Sequence, residues 1–222
     1  MPVMVWSLEY GKRVYDWWSR HPLGYSVLMW SVTFGKEREF RRRVVESVSV
    51  SEGDTVVDLA CGSGRNLELL SQAVGDTGTV VGIDYSKGMV RRAKKNIEKR
   101  GIENAYLIRA DAADEVIAEA SVDGVVCTMS LSAIPDHDSA VENIRRCLRP
   151  GGRLAVMDSS ELEGPLRFLN PVTRILFKYT TNWDYRKDVL GSMAEQFGQE
   201  NVTADWDNSG SIYFAVGKKP NR

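Results

Sequence analysis

The apolar positions of this chain follow two rhythms. From Thr55 onward, short β-branched runs alternate with longer stretches of helical spacing, the pattern of a parallel sheet covered by helices. Residues 55–59, 79–84, 105–109, 122–128 and 153–158 are apolar enough to be strands buried on both faces. The intervening helices are predicted to begin near Asn66, Lys87, Ala113 and Ser139. The last has a capping-box pattern, Ser139 followed by Glu142, and Pro150-Gly151-Gly152 is expected to end it. Beyond Asp158 the pattern changes to an aromatic, basic segment over 161–187, a helix over 188–197, and strands over 202–206 and 211–216 joined at Asn208-Ser209-Gly210. Residues 1–43 carry a helical pattern and read as a cap over the sheet.

The expected fold is a doubly wound α/β sheet in one domain, since 222 residues at 43% apolar content suit a single well-buried core. Its parts are a helical cap (1–45), a core (46–160), a lid-like insertion (161–187) and a C-terminal helix and hairpin (188–222). The longest apolar stretch, 25–34, is about half of the roughly 20 residues that a membrane-spanning helix needs. Met1 to Arg13 lacks the basic start, apolar run and cleavage site of a secretory signal, so a cytoplasmic location is expected. Cys61, Cys127 and Cys147 are widely spaced with no CxxC pairing, which predicts reduced thiols and no metal site.

Charge changes this picture in one respect. The net charge is −1, yet residues 1–43 and 165–187 each carry +4, leaving −9 on the rest. Cations interleaved with Trp, Tyr and Phe suit an anionic or interfacial partner, such as peripheral contact with a membrane surface, although a solvated surface with ordinary aromatic packing gives the same pattern.

The most informative stretch is Val56-Val57-Asp58-Leu59-Ala60-Cys61-Gly62-Ser63-Gly64-Arg65-Asn66, a strand entering a two-glycine turn that opens a helix. Such glycines let the backbone approach a ligand. A dinucleotide fingerprint requires a small residue where Leu67 stands, and Asp58 would repel a phosphate while attracting an ammonium group. The next strand ends in Asp84, whose carboxylate can accept hydrogen bonds from ribose hydroxyls. Tyr85 and Met89 could flank a planar base, and Asp111 with the Ala112 N–H could pair with its edge. Together these strand ends describe an adenosine site with an amino-acid tail; singly, each aspartate reads equally as a helix cap.

These motifs, with Ala110-Asp111-Ala112, residues 123–128 and Leu148-Arg-Pro-Gly-Gly-Arg153, resemble those of class I S-adenosylmethionine (SAM)-dependent methyltransferases, almost continuously over residues 50–160. Within that superfamily, Val32-Thr-Phe-Gly35 with Arg41-Arg-Arg43, Ser86-Lys-Gly-Met89 and Ile134-Pro-Asp136 look most like the ubiquinone/menaquinone C-methyltransferases and related phospholipid N-methyltransferases. The resemblance implies a Rossmann-like, seven-stranded, mostly parallel sheet with an antiparallel C-terminal hairpin, SAM as cofactor, and cofactor contacts at Ser63, Asp84, Asp111, Ala112 and Thr128. Asp58, Ala60, Gly62, Gly64, Tyr85 and Met89 complete the candidate cofactor site. Quinone methyltransferases usually carry Arg-Asn before the Pro-Asp step, where this chain has Ser132-Ala133.

Methyl transfer from a sulfonium needs a dry pocket and an aimed nucleophile more than a catalytic side chain. Where the acceptor must lose a proton, His137 or Asp136 is the candidate base; the alternative is that residues 135–138 only turn the chain and cap a helix. Tyr15, Tyr25 and Trp30 in the cap and Tyr179 in the insertion are the candidate acceptor-pocket residues. The acceptor is expected to be a small, lipid-like molecule, a phospholipid amine headgroup or an isoprenoid quinol. A soluble amine or thiol, aminocarboxypropyl transfer and a non-catalytic SAM-binding regulator remain as alternatives. A nicotinamide oxidoreductase lacks its phosphate turn here, and no base-flipping run points to nucleic acid.

Overall fold

In the computed structural model, which describes residues 6–221, one seven-stranded sheet carries the molecule. Its strands are β1 (Thr55–Leu59), β2 (Thr79–Ile83), β3 (Ala105–Ile108), β4 (Val122–Thr128), β5 (Leu148–Ser159), β6 (Val202–Asp207) and β7 (Ile212–Lys218). They lie in the order β3-β2-β1-β4-β5-β7-β6. All pairs are parallel except those made by β7, which runs antiparallel to both β5 and β6. The order reverses between β1 and β4, so the crevice beyond their carboxyl ends is where such a sheet receives a ligand.

Three helices precede the sheet: α1 (Leu8–Arg20), α2 (Pro22–Val32) and α3 (Glu37–Val48). The others are α4 (Leu67–Val74), α5 (Lys87–Arg100), α6 (His137–Cys147), α7 (Asn170–Thr181) and α8 (Val189–Phe197). Two apolar clusters hold the layers together. One lies between the sheet and α6 and α8, around Val125, Ile144, Leu154 and Met193; the other lies under α2–α5, around Phe40, Val44, Leu70, Val80 and Met157. No helix among the described residues is long and apolar enough to cross a membrane.

The structure departs from the sequence reading at three places. No helix forms near Ala113. Asp111 instead takes the Ala113 N–H into an Asx-type turn, and α6 reaches across to the freed carbonyls, Asn143 to Ala113 and Arg146 to Ile117. The helix expected at Ser139 begins at His137, because Asp136, not Ser139, is the N-cap and accepts from the Ser139 N–H at 3.1 Å. That helix ends at Cys147, and β5 starts at Leu148, earlier than expected: Pro150-Gly151-Gly152 sits within the strand as a register shift against β4, and its ends are tied to Lys219.

α1, α2 and the α7 segment form one cap over the carboxyl ends of the strands, while α3 packs on a face of the sheet. A helix leaves its last carbonyls unpaired, and those of α7 are taken up by side chains of α1. Tyr10 donates to Tyr179 O, Trp18 to Thr180 O and Tyr15 to Thr181 O, at 3.1, 2.6 and 3.1 Å. Gly11 lets α1 come close, for a Cβ there would stand 2.5 Å from the Tyr85 hydroxyl.

Candidate functional site

Beyond the carboxyl ends of β1, β2 and β4, under α1, lies a cavity open to solvent. Its lower wall is built by Ala60 and Gly62 after β1, Asp84 and Tyr85 after β2, Asp111 and Ala112 after β3, and Thr128 to Ser130 after β4; Leu8, Tyr15 and Tyr25 close it from the cap. Three turn residues here have left-handed backbone: Ala60 (φ 54°), Gly62 (φ 55°) and Met129 (φ 56°). A Cβ at Gly62 would meet nothing within 4 Å, so this glycine faces open space. Holding alanine and methionine at positive φ costs of order 1–3 kcal/mol each, and such strain collects at ligand sites.

Asp84 is fixed in place by backbone. Gly62 N–H donates to one carboxylate oxygen and Ser86 N–H to the other, both at 2.8 Å. Each oxygen keeps a further lone pair for a hydroxyl in the cavity. Burial pushes the Asp84 carboxyl up to about 6 against the help of those two N–H groups, and Asp16 raises it further.

Asp58 stands one layer behind the wall. It is fully buried; one oxygen accepts from Asn66 Nδ2 at 2.9 Å and the other has no partner. Asn66 also donates to Thr128 Oγ1 at 3.1 Å, which links the carboxylate to the cavity surface. Burial is the main reason that the Asp58 carboxyl rises to about 7; Asn66 and Arg41 oppose the rise. Arg41 is the cation of this network. It donates to Glu37 (2.9 Å), to Asn66 Oδ1 (2.8 Å) and to Thr128 Oγ1 (3.0 Å), and Arg65 also holds Glu37. Sequence reasoning missed Arg41 and Asn66 as parts of the site. The available signal was the spacing of Arg41 with Val44, Val45 and Val48 on the buried stripe of α3.

The sequence-predicted residues thus fall into two groups. Ala60, Gly62, Asp84, Tyr85, Asp111, Ala112, Thr128, Tyr15 and Tyr25 line one cavity. Asp58, Ser63, Gly64 and Met89 lie outside its wall, Asp58, Ser63 and Met89 buried. Trp30 and Tyr179 point outward. His137 opens α6 with Nε2 3.5 Å from Asp138, away from the cavity lining, and burial lowers its pKa. The three cysteines are free and buried, and no cluster of metal-ligating side chains exists among the described residues.

A second, smaller chamber adjoins the first and shares Tyr15, Tyr25, Met129 and Ala133 with it. Met29, Val32 and Phe177 make it apolar, while Ser132, Asp158 and Trp183 add polarity. Asp158, at the end of β5, accepts from Ser132 N–H and Oγ and from Ser159 N–H, each at 2.8 Å. Its pKa is raised, chiefly by burial. Trp183 Nε1 beside this chamber, and Tyr213 Oη nearby, are buried without a hydrogen-bond partner, a costly arrangement that a ligand oxygen would relieve.

A buried unpaired carboxylate oxygen, an open glycine turn and a pre-oriented strand-end carboxylate fit a ligand with an ammonium group and a ribose. Ligand binding is then linked to pH. Asp58 and Asp84 have pKa values of about 7 and about 6 against the ordinary 3.8, so the ligand-free fold keeps protons that the unfolded chain has lost. The contribution of these two groups to stability is full near pH 4 and is lost as pH rises to about 7. A cationic ligand favours both carboxylates ionised. SAM affinity is therefore expected to rise from pH 5 to pH 8 with proton release between pH 6 and 7, measured by calorimetry in buffers of different ionisation enthalpy; a flat pH profile would remove both groups from the linkage.

Comparison with known proteins places this geometry in context. The family profile described as Methyltransferase domain matches residues 50–204. The demethylmenaquinone methyltransferase of Staphylococcus aureus is 32% identical over 207 residues, 85% of each chain. The Oceanobacillus iheyensis protein of the same name is 30% identical over 130 residues, 59% of this chain and 55% of that one. Among solved structures, a chain of the complex between the Haloferax volcanii Trm112 methyltransferase activator and a methyltransferase matches with a TM-score of 0.72 at 20% identity, over 95% of this chain and 98% of that one. A SAM-dependent methyltransferase from Aquifex aeolicus matches at 0.61 and 18% identity, over 80% and 88%. Geranyl diphosphate methyltransferase in complex with SAM matches at 0.65 and 17%, over 84% and 86%. At these identities the structural likeness is one of fold.

Proposed function

The chain belongs to the methyltransferase-domain family of class I SAM-dependent enzymes, and from that premise we propose that it methylates a lipid-like acceptor, an isoprenoid quinol or an amine-headed phospholipid, whose reactive end enters the chamber beyond Tyr15 and Tyr25. The observation that carries this reading is the chamber itself: apolar walls at Met29, Val32 and Phe177, a buried carboxylate at Asp158 and an unpartnered N–H at Trp183. An apolar body with a hydroxyl or amine at one end suits these surfaces. The relatives named for demethylmenaquinone support the quinol over the phospholipid.

The bound sulfonium supplies an already electrophilic methyl group. The chain's part is to hold and aim the partners. Asp84 would take the ribose hydroxyls, Asp111 and Ala112 the edge of the base, and Asp58 the amino-acid end through the Thr128 wall. Tyr15, Tyr25 and Leu8 keep water from the reaction path. Asp158 borders the chamber while His137 is outside the first cavity's lining, so Asp158 is the better placed to take the acceptor's proton. Asp158→Asn is expected to lower kcat about 100-fold with SAM affinity retained. His137→Ala is expected to leave the acid limb of the pH–rate profile in place; flattening of that limb, with Asp158→Asn active, would return the role to His137.

The reading is tested by release of S-adenosylhomocysteine with a panel of isoprenoid quinols, amine-headed phospholipids, small thiols and small amines. Turnover with a quinol or phospholipid is expected. Turnover confined to a soluble thiol or amine, release of methylthioadenosine instead, or SAM binding without turnover on any acceptor would overturn it.

A further inference from the structure

A helix that packs on a globular core ordinarily shows polar residues to water. Two helices of this cap do the reverse. On α2, Leu23, Val27 and Trp30, followed by Phe34 just beyond it, recur at intervals of four, three and four residues, and all are exposed, Leu23 to 83%. At the start of and along α7, Phe168, Val172, Ile175 and Tyr179 repeat the same spacing, also exposed, with Leu176 beside them and Phe168 at 73%. The inward faces of these helices, Met29 and Val32 on one and Phe177 on the other, wall the second chamber. Both outward stripes therefore lie on helices that wall the proposed acceptor chamber.

The charges within the two stretches have one sign. Residues 17–36 contain Arg20 and Lys36, residues 164–183 contain Arg167, Arg174 and Lys178, and neither stretch contains an Asp or Glu. Lys36 and Arg174 pair with Asp207 and Glu161 from outside these stretches. Lys178 lies over the rings of Trp6 and Tyr179, 4.4 and 5.4 Å from their centroids. Exposed apolar residues, ring-seated cations and no acid within either stretch complement an anionic bilayer, whose interior receives the stripes while its headgroups meet the cations left unpaired by Asp207 and Glu161.

We infer that the outward faces of α2 and α7, the two helices whose inner faces wall the acceptor chamber, form a docking surface for an anionic phospholipid membrane. The inference deepens the lipid-acceptor reading and is tested separately from turnover. The full chain is mixed with vesicles of phosphatidylcholine, or of equal parts phosphatidylcholine and phosphatidylglycerol, and floated on a density gradient. Flotation with the mixed vesicles, weakened by added salt, is expected. The double variant Val27→Glu, Ile175→Glu is expected to float about tenfold less while keeping wild-type SAM affinity by calorimetry, since neither residue lines the cofactor cavity. Absence of wild-type flotation, equal flotation of the variant, or a wild-type dimer in light scattering that the variant dissolves would overturn the inference, the last assigning the surface to a second copy of the chain. Vesicle binding without turnover of any lipid would sink the acceptor reading and leave the surface standing.

Discussion

Asp84→Ala is expected to weaken SAM binding by about 1.5–3 kcal/mol, the scale for losing hydrogen bonds to a charged group, which is roughly 10- to 150-fold in Kd. Two effects combine. The cofactor loses an acceptor for its ribose, and the turn loses the clamp that sets its shape, because Asp84 joins Gly62 N–H to Ser86 N–H. Each buried donor left without a partner costs roughly 1–3 kcal/mol, so thermal stability should fall as well. That deficit is expected to be larger at pH 5 than at pH 8, since the wild type alone carries a desolvated carboxylate that ionises at about 6. Asp84→Asn should recover only part, as its amide offers one acceptor and turns a donor toward the other N–H. Titration calorimetry reads the affinity; an unchanged Kd in the alanine variant would take Asp84 out of the site.

Arg41→Met is expected to destabilise the fold by about 3–5 kcal/mol, the usual cost of removing one partner from a buried charged network, measured by urea unfolding. Methionine replaces the bulk of the stem and none of the hydrogen bonds. Glu37 keeps Arg65, but Asn66 Oδ1 and Thr128 Oγ1 lose their guanidinium donor, and Asp58 loses the cation that holds its pKa down. The Asp58 carboxyl should therefore rise beyond about 7, and SAM binding in the variant should need a higher pH than in the wild type. Asp58→Asn in the same background removes the uncompensated charge and is expected to restore part of the lost stability. Strictly additive effects of the two substitutions would mean that the residues do not act on one another.

These cases also separate what the sequence made legible from what it hid. β1 and β4 could be bounded to the residue, because strands buried on both faces read as unbroken β-branched runs. Asp84 was visible because it follows such a run, β2, which lies beside the point where the order of the sheet reverses. The start of β5 was hidden, because Pro150-Gly151-Gly152 has the composition of a helix stop and here forms an irregularity inside a strand. The absent helix near Ala113 was hidden by long-range bonds from α6 that no local pattern records. Arg41 was obscured by its setting, a run of charge that reads as a solvated face, although one arginine of the three points inward. The second chamber was the least legible feature: its walls come from the cap, the turn after β4, the end of β5 and the α7 segment, which meet only after folding.

The bonds from Tyr10, Tyr15 and Trp18 to the end of α7 bear on how molecules come and go. Raising α1 alone to uncover the cofactor breaks three hydrogen bonds at once and strands three carbonyls. Moving α1 and α7 together breaks none of these, but parts Asp16 on α1 from Ser86 and Gly88 at the start of α5. A load placed on the outer face of α7 is thus passed through these bonds to α1 and Tyr15, which lines the candidate cofactor cavity.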